Sequence, residues 1–175
     1  MSTERAPRNV TTERRFRDAL AQFATGVTII TARAQEGGFV GFTATSFNSV
    51  SLEPPLVIWS LGRRSRSLPA FERAERYAVN VLAHDQAELA QRFSRPHTDR
   101  FAGVNYRLGE AAAPLIEGCA AWLECRHHSR QQVGDHVLFV GEVDSCACQA
   151  VAPLVWHAGR YHVGAPRAEG EKAAG

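Results

Sequence analysis

The longest regular signal in the chain is a two-residue alternation from His136 to Ala147, with Val137, Phe139, Gly141 and Val143 on one face and Leu138, Val140, Glu142 and Asp144 on the other. A period of two places successive side chains on opposite sides of extended backbone, so this run is a long strand, opened by a turn at Gly134. Shorter runs of the same kind surround it. Val27 to Thr31 is β-branched throughout, Gly37-Gly38 makes a turn, and Phe39 to Ala44 returns as the second arm of a hairpin. Leu56 to Leu61 is a compact apolar run after Pro54-Pro55, and Tyr77 to Leu82 alternates. Ala120 to Arg130 sets Trp122, Glu124 and Arg126 against Leu123, Cys125 and His127, and Leu154–His157 with Arg160–Val163 forms a hairpin around Ala158-Gly159.

Helical spacing is confined to short stretches. Glu13 to Ala24 carries Phe16, Leu20 and Phe23, with Thr12 as N-cap and Gly26 past the end. Gln86 to Phe93 reads as a second helix capped by Asp85, and a third runs to Arg73 with Ser65 or Ser67 as its cap. At least six short strands with few helices predict a barrel or sandwich, and the elements do not alternate as a doubly wound parallel sheet requires. The expected organisation is one domain over residues 13–163, between flexible ends at 1–12 and 164–175.

Several functions are excluded by what the chain lacks. It has no G-x-G-x-x-G, no P-loop and no G-x-S-x-G elbow, so any dinucleotide is bound without the glycine fingerprint. Lys172 is the only lysine and lies in the tail, which removes Schiff-base chemistry. A net charge of +2, from 20 basic and 18 acidic residues, gives no strong pull toward nucleic acid or a membrane. No apolar segment is long enough to span a bilayer, and the polar start is unlike a secretion signal, so a cytoplasmic setting is expected. Cys119, Cys125, Cys146 and Cys148 match no zinc-finger spacing and are expected to stay reduced, without metal.

Three stretches carry chemistry. Gly41 to Pro55 packs six Thr, Ser or Asn residues among small ones as a strand gives way to a loop, a surface suited to a flat heteroaromatic ring or a phosphate, or simply a polar crossing. Ser60-Leu61-Gly62-Arg63-Arg64-Ser65-Arg66-Ser67 combines guanidinium forks with hydroxyls, which suits a phosphate or pyrophosphate as well as a solvated turn. Gly134-Asp135-His136 opens the long strand with a glycine that lets a ligand approach and an imidazole that can donate, accept or stack. His127 and His128 are adjacent, point to opposite faces and read as structural.

In this order, with Phe16-Arg17-Asp18-Ala19, Phe23 to Thr31, Tyr77 to Leu82, Phe139 to Val143 and Gly159 to His162, these stretches resemble the short-chain flavin reductases, the reductase components of two-component flavin monooxygenases. The similarity runs from Arg14 to Val163. It implies a split β-barrel of Greek-key type, working as a homodimer. The implied activity moves hydride from NADH or NADPH to FMN or FAD, and the reduced flavin passes to a separate monooxygenase. By resemblance, Thr43, Ala44, Thr45, Ser46, Phe47, Ser49 and Val50 line the flavin ring and ribityl chain, and Ser60, Leu61, Arg64, Ser65, Arg66 and Ser67 take the phosphate end. Phe93 lies near the cofactor. His136, with Gly134 and Asp135, meets the nicotinamide nucleotide beside Tyr161 and His162. The rival readings are a non-catalytic flavin- or haem-binding barrel, a pyridoxamine-phosphate-oxidase-like oxidase and a nucleic-acid-binding barrel. The Gly-Asp-His turn and the Phe-Ala-Thr-Gly-Val-Thr block favour the reductase. The arginine-rich loop is more basic than the resemblance leads one to expect, which points to a firm hold on the diphosphate of FAD or the 2′-phosphate of NADPH.

Overall fold

The computed structural model describes residues 10–96 and 99–164. Most of the two expected flexible ends, 1–9 and 165–175, lies outside the described residues. The chain runs α1 (Val10–Leu20), β1 (Thr25–Gly26), β2 (Thr28–Arg33), β3 (Phe39–Ala44), β4 (Asn48–Leu52), β5 (Pro55–Gly62), α2 (Leu68–Arg73) and β6 (Arg76–Val81). It continues through α3 (Ala87–Ser94), β7 (Tyr106–Leu108), β8 (Pro114–Ile116), β9 (Ala121–Val133), β10 (His136–Cys148), β11 (Leu154–His157) and β12 (Arg160–Val163). Among the described residues, no helix is long and apolar enough to cross a membrane.

Seven strands form one antiparallel sheet in the order β3-β2-β6-β9-β10-β5-β4. The sequence neighbours β3 and β4 thus sit at opposite ends of the sheet. The chain between them must cross that gap, and it does so where the Ser46 hydroxyl accepts from the Ser60 N–H at 3.0 Å. The sheet therefore curls into a barrel that stays split along the outer edge of β3, the architecture the resemblance implies. A separate three-stranded sheet, β1-β11-β12, and the β7–β8 hairpin pack outside.

The barrel interior is filled by aromatic rings because the inward faces of β3, β5, β6 and β10 carry them. Trp59 and Phe139 are register partners and stack at 4.1 Å with an 8° interplanar angle. Phe71 of α2 and Tyr77 of β6 meet Trp59 edge-on, each at 5.3 Å. Gly141 belongs to this packing, since a Cβ there would overlap the Tyr77 ring and hydroxyl. β2 is buried on both faces. Ile30 and Ala32 face the barrel interior, while Val27 and Ile29 meet a second core under α3 with Leu82, Ala90, Phe93 and Leu154.

The helices depart from the sequence reading in instructive ways. α1 begins before Thr12 and stops at Leu20, so Thr12 lies inside the helix and Phe23 beyond it. Asp85 does not cap α3. Gln86 holds the N-cap position, and its amide instead accepts from Ala83 N–H and donates to Glu117 C=O. Ser67 holds the N-cap position of α2 but makes no side-chain cap bond. The polar loop after β3 contains a strand, β4, whose Ser49-Val50-Ser51-Leu52 alternation is too short, among Ser and Asn residues, to stand out from a loop, and which lies mostly exposed at the sheet edge.

Candidate active site

The split in the barrel is where most of the chemistry-bearing residues converge. Among the described residues β3 pairs only with β2, which leaves its outer edge without a strand partner, so backbone groups there other than Gly41 C=O, which Arg100 takes, can meet a ligand. Thr45 and Ser46, just past the end of β3, are exposed. Ser46 Oγ is shared with Ser60, accepting from its N–H at 3.0 Å and donating to its C=O at 3.3 Å, so the two loops are clasped. From Ser60 the 62–67 segment runs back along the cleft, with Ser65 Oγ accepting from Ser67 N–H at 3.3 Å.

The Gly134–His136 turn joins the same rim. His136 is the register partner of Gly62, and Arg63 N–H donates to Asp135 C=O at 2.9 Å. Gly134 has φ +61°, the left-handed conformation that glycine adopts without strain. The Asp135 carboxylate lies 2.8 Å from His136 Nδ1. That contact, with Arg64 nearby, holds the Asp135 carboxyl below its ordinary range. An imidazole that gives its Nδ1 proton to a carboxylate offers Nε2 to the cleft, and Nε2 sits 3.7 Å from where a Gly62 Cβ would be.

Not every expected site residue reaches this rim. Ala44 and Leu61 point into the barrel core, so only their backbone can meet a ligand. The Thr43 hydroxyl donates to Ala90 C=O of α3 at 2.6 Å and is not directed at a ring. Phe93 is 0% exposed beneath Gly41, where a Cβ would come within 2.7 Å of its ring, so Phe93 shapes the cleft from below. Phe47 is half-buried against the barrel core, whereas Ser49 and Val50 are exposed on β4. Tyr161 packs on Trp156 at 4.8 Å in the outer sheet, beside the α3 core, and His162 lies 5.9 Å from His157. Among the described residues, no hydrogen bond joins either to His136.

One residue that the sequence reading passed over is Arg100. Its Nη1 donates to Gly41 C=O at 2.7 Å and to Ser67 Oγ at 3.3 Å, fastening the unpaired edge of β3 to the start of α2. The signal available was weak, a lone arginine in a polar stretch. Among the described residues, no cluster of three His, Cys, Asp or Glu could hold a metal ion.

Residues 20–165 match the family described as flavin reductase like domain. The chain belongs to that family. It is 40% identical over 147 residues to a flavin reductase of Pseudomonas putida, covering 83% of this chain and 86% of that protein. A Rhizobium meliloti relative is 41% identical over 158 residues, and there the chain spans 90% of itself but 50% of the other protein. Among solved structures, nitrilotriacetate monooxygenase component B of Mycobacterium thermoresistibile superposes with a TM-score of 0.86 at 36% identity, covering 94% and 92% of the two chains. The NADH:FAD oxidoreductase SgcE6 of Streptomyces globisporus, solved with NAD and FAD fragments, gives 0.85 at 34% identity, with coverage of 94% and 100%.

The donors along the cleft fit such ligands. Uncharged hydroxyls and backbone groups at Thr45, Ser46 and Ser60 suit a neutral, flat ring, and the cations of the 63–66 segment suit its phosphate.

Proposed function

We propose that this chain is an NAD(P)H-dependent flavin reductase that hands reduced flavin to a separate flavin-dependent monooxygenase. The single observation that supports this most is the rim itself. The Ser46–Ser60 clasp ties the loop after β3 to β5, and the Asp135–His136 turn pairs with the end of β5 at Gly62, so the groups proposed for ring, phosphate and nicotinamide lie beside one another.

When bound, FMN or FAD supplies the hydride acceptor at N5, and NADH or NADPH supplies the donor at nicotinamide C4. The residues of the chain bind and orient. Thr45, Ser46, Phe47, Ser49 and Val50 line the ring, with backbone contributions from Thr43 and Ala44. Ser60, Leu61, Arg64, Ser65, Arg66 and Ser67 hold the phosphate end. His136, set by Asp135 and freed by Gly134, receives the nicotinamide carboxamide at Nε2. No general base is required, because the catalytic gain comes from holding donor and acceptor atoms about 3–3.5 Å apart. Tyr161 and His162 contribute from the outer sheet.

The working unit is a homodimer in the cytoplasm. Support comes from α1, an 11-residue helix whose Leu20 is 57% exposed, with Phe23 just beyond it 74% exposed. Helices shorter than about 12–15 residues are marginal in water unless their apolar face is covered. A second copy supplies that cover.

The test is anaerobic mixing of the purified protein with each flavin and each reduced nicotinamide nucleotide. Loss of the yellow flavin colour, dependent on the protein, is the expected result. Flavin that binds yet stays oxidised with both nucleotides would leave a non-catalytic flavin carrier.

A further inference from the structure

β11 and β12 close a hairpin over Ala158-Gly159, with His157 opposite Arg160, Trp156 opposite Tyr161 and Val155 opposite His162. The period of two divides these residues between two faces. Leu154, Trp156 and Tyr161 turn toward the core under α3, so Val155, His157, Arg160 and His162 share the face turned away from it. There His157 and His162 lie on the diagonal between two register pairs, with ring centroids 5.9 Å apart and planes inclined at 55°. His157 is half-buried and His162 exposed. Among the described residues neither imidazole makes a hydrogen bond or an ion pair, whereas His127, His128 and His136 each face a charged side chain.

Two free imidazoles held side by side by a hairpin are a chelating pair. When each ligating nitrogen lies about 2.0–2.1 Å from a shared metal, the ring centroids are at most about 6.4 Å apart, and about 5.2 Å apart in a tetrahedral site. The observed spacing falls between these limits, so a small side-chain rotation closes the pair on one ion without moving the backbone. Among the described residues no third His, Cys, Asp or Glu joins them, so water completes the coordination. The one charged group beside them on this face of the hairpin is Arg160, whose long exposed side chain can swing into solvent. The ligand type decides the class of ion. Imidazole suits Zn²⁺, Ni²⁺ and Cu²⁺, whereas Mg²⁺ and Ca²⁺ require oxygen.

We propose that His157 and His162 form a two-histidine site for a divalent transition-metal ion, which clips the β11–β12 hairpin from its outer face. The site itself is independent of the flavin chemistry. Its effect on reduction rests on the flavin-reductase reading, in which His162 lies beside the nicotinamide. An ion held on His162 withdraws that ring from the nucleotide, so occupancy raises the KM for NADH.

The test is calorimetric titration of the full-length protein with Ni²⁺, Zn²⁺ and Mg²⁺ in turn. It is carried out on a Cys146→Ser/Cys148→Ser background, so that the two exposed thiols do not compete for the ion. One equivalent of Ni²⁺ or Zn²⁺ is expected to bind and to raise the melting temperature, and Mg²⁺ to do neither. His157→Gln is expected to weaken Ni²⁺ and Zn²⁺ about a hundredfold, because a chelating pair owes its affinity to the high local concentration of the second ligand. His162→Gln should match it, and His84→Gln, at an exposed histidine outside the pair, should change nothing. Metal-free melting temperatures equal to the parent's in all three variants show that lost binding is not lost folding. If His157→Gln leaves Zn²⁺ affinity unchanged, or His84→Gln weakens it equally, the site is overturned. Zn²⁺ that binds through His157 yet leaves the KM for NADH unaltered upholds the site and removes His162 from the nicotinamide reading. A protein that bleaches flavin with NADH but binds no Zn²⁺ loses only the site.

Discussion

Inside the barrel, Trp59 lies flat on Phe139 and is boxed in by Phe42, Phe71 and Tyr77, all buried. At the rim, Thr45, Ser46, Arg63, Arg64, Arg66 and His136 are exposed. The same strands build both. β5 contributes Trp59 inward and Ser60 to the cleft, and β10 begins with His136 at the rim and continues into Phe139 in the core. One to three residues along a strand separate a side chain whose loss costs folding from one whose loss costs binding. The two regions should therefore answer mutation in different measurements, stability for the interior and ligand kinetics for the rim.

The largest effect is expected from Trp59→Ala. Emptying the centre of the aromatic cluster should cost about 3–5 kcal/mol in chemical denaturation. For a chain of this size that lowers Tm by about 10 °C. A variant with wild-type stability would show that the stack is dispensable and that the interior and rim are not divided as described.

At the rim, His136→Ala should raise the KM for NADH about tenfold and lower kcat a few-fold, with flavin affinity and Tm unchanged. Stopped-flow reduction and a flavin titration read the two halves separately. Abolished reduction with intact binding of both ligands would assign His136 a proton-transfer role. Ser46→Ala lies between the two regions, because it removes both bonds of the clasp. It should cost about 1 kcal/mol of stability and weaken flavin binding several-fold.

How much of this division is legible in the sequence depends on where each residue's partner lies. The paired strands β3, β11 and β12 have the boundaries that alternation and glycine turns predict, because those signals are local. So does the arrival of His136 beside the 60–67 segment, which the order of motifs foreshadows. The Thr43 hydroxyl looked like a ring contact but is taken by Ala90 of α3, forty-seven positions away, and no local pattern carries that information. Phe93 is expected near the cofactor, and the absence of a side chain at Gly41 lets its fully buried ring slide under β3, a placement that depends on a residue far away in sequence. Arg100 went unnoticed for the same reason, since its meaning comes from Gly41 and Ser67.

The cysteines sharpen the comparison with a smaller signal. Burial pushes the Cys119 and Cys125 thiols up to about 12, while Cys146 and Cys148 are exposed. A thiol reagent at pH 8 should therefore modify two cysteines quickly and the other two only after unfolding. The sign for stability follows from linkage. The buried thiols ionise at about 12 in the folded protein against 9.0 when free, so their contribution is whole below pH 9 and is lost as pH rises toward 12. Four equally fast thiols would mean that both cores, the one under α3 that holds Cys119 and the barrel interior that holds Cys125, open readily.

The smallest expected effect is also the most discriminating about the interior. Among the described residues, Tyr77 Oη and Trp59 Nε1 are buried and make no well-formed hydrogen bond, although the two groups lie close to one another and Tyr77 Oη hangs over Gly141. Burial, with Cys125 nearby, pushes the phenol above its usual range, and the neighbouring Trp59 indole N–H pulls it weakly the other way. A buried polar group without a partner costs about 1–3 kcal/mol of desolvation. Tyr77→Phe removes that cost while keeping the edge-on ring against Trp59, so stability should hold or rise by about 1 kcal/mol. Trp59 lost entirely and Tyr77 shorn of one oxygen thus move in opposite directions, although their rings touch. A Tyr77→Phe variant destabilised by 2 kcal/mol or more would show that the hydroxyl is bonded in solution, through a buried water, and that the interior is a polar device as well as a packed one.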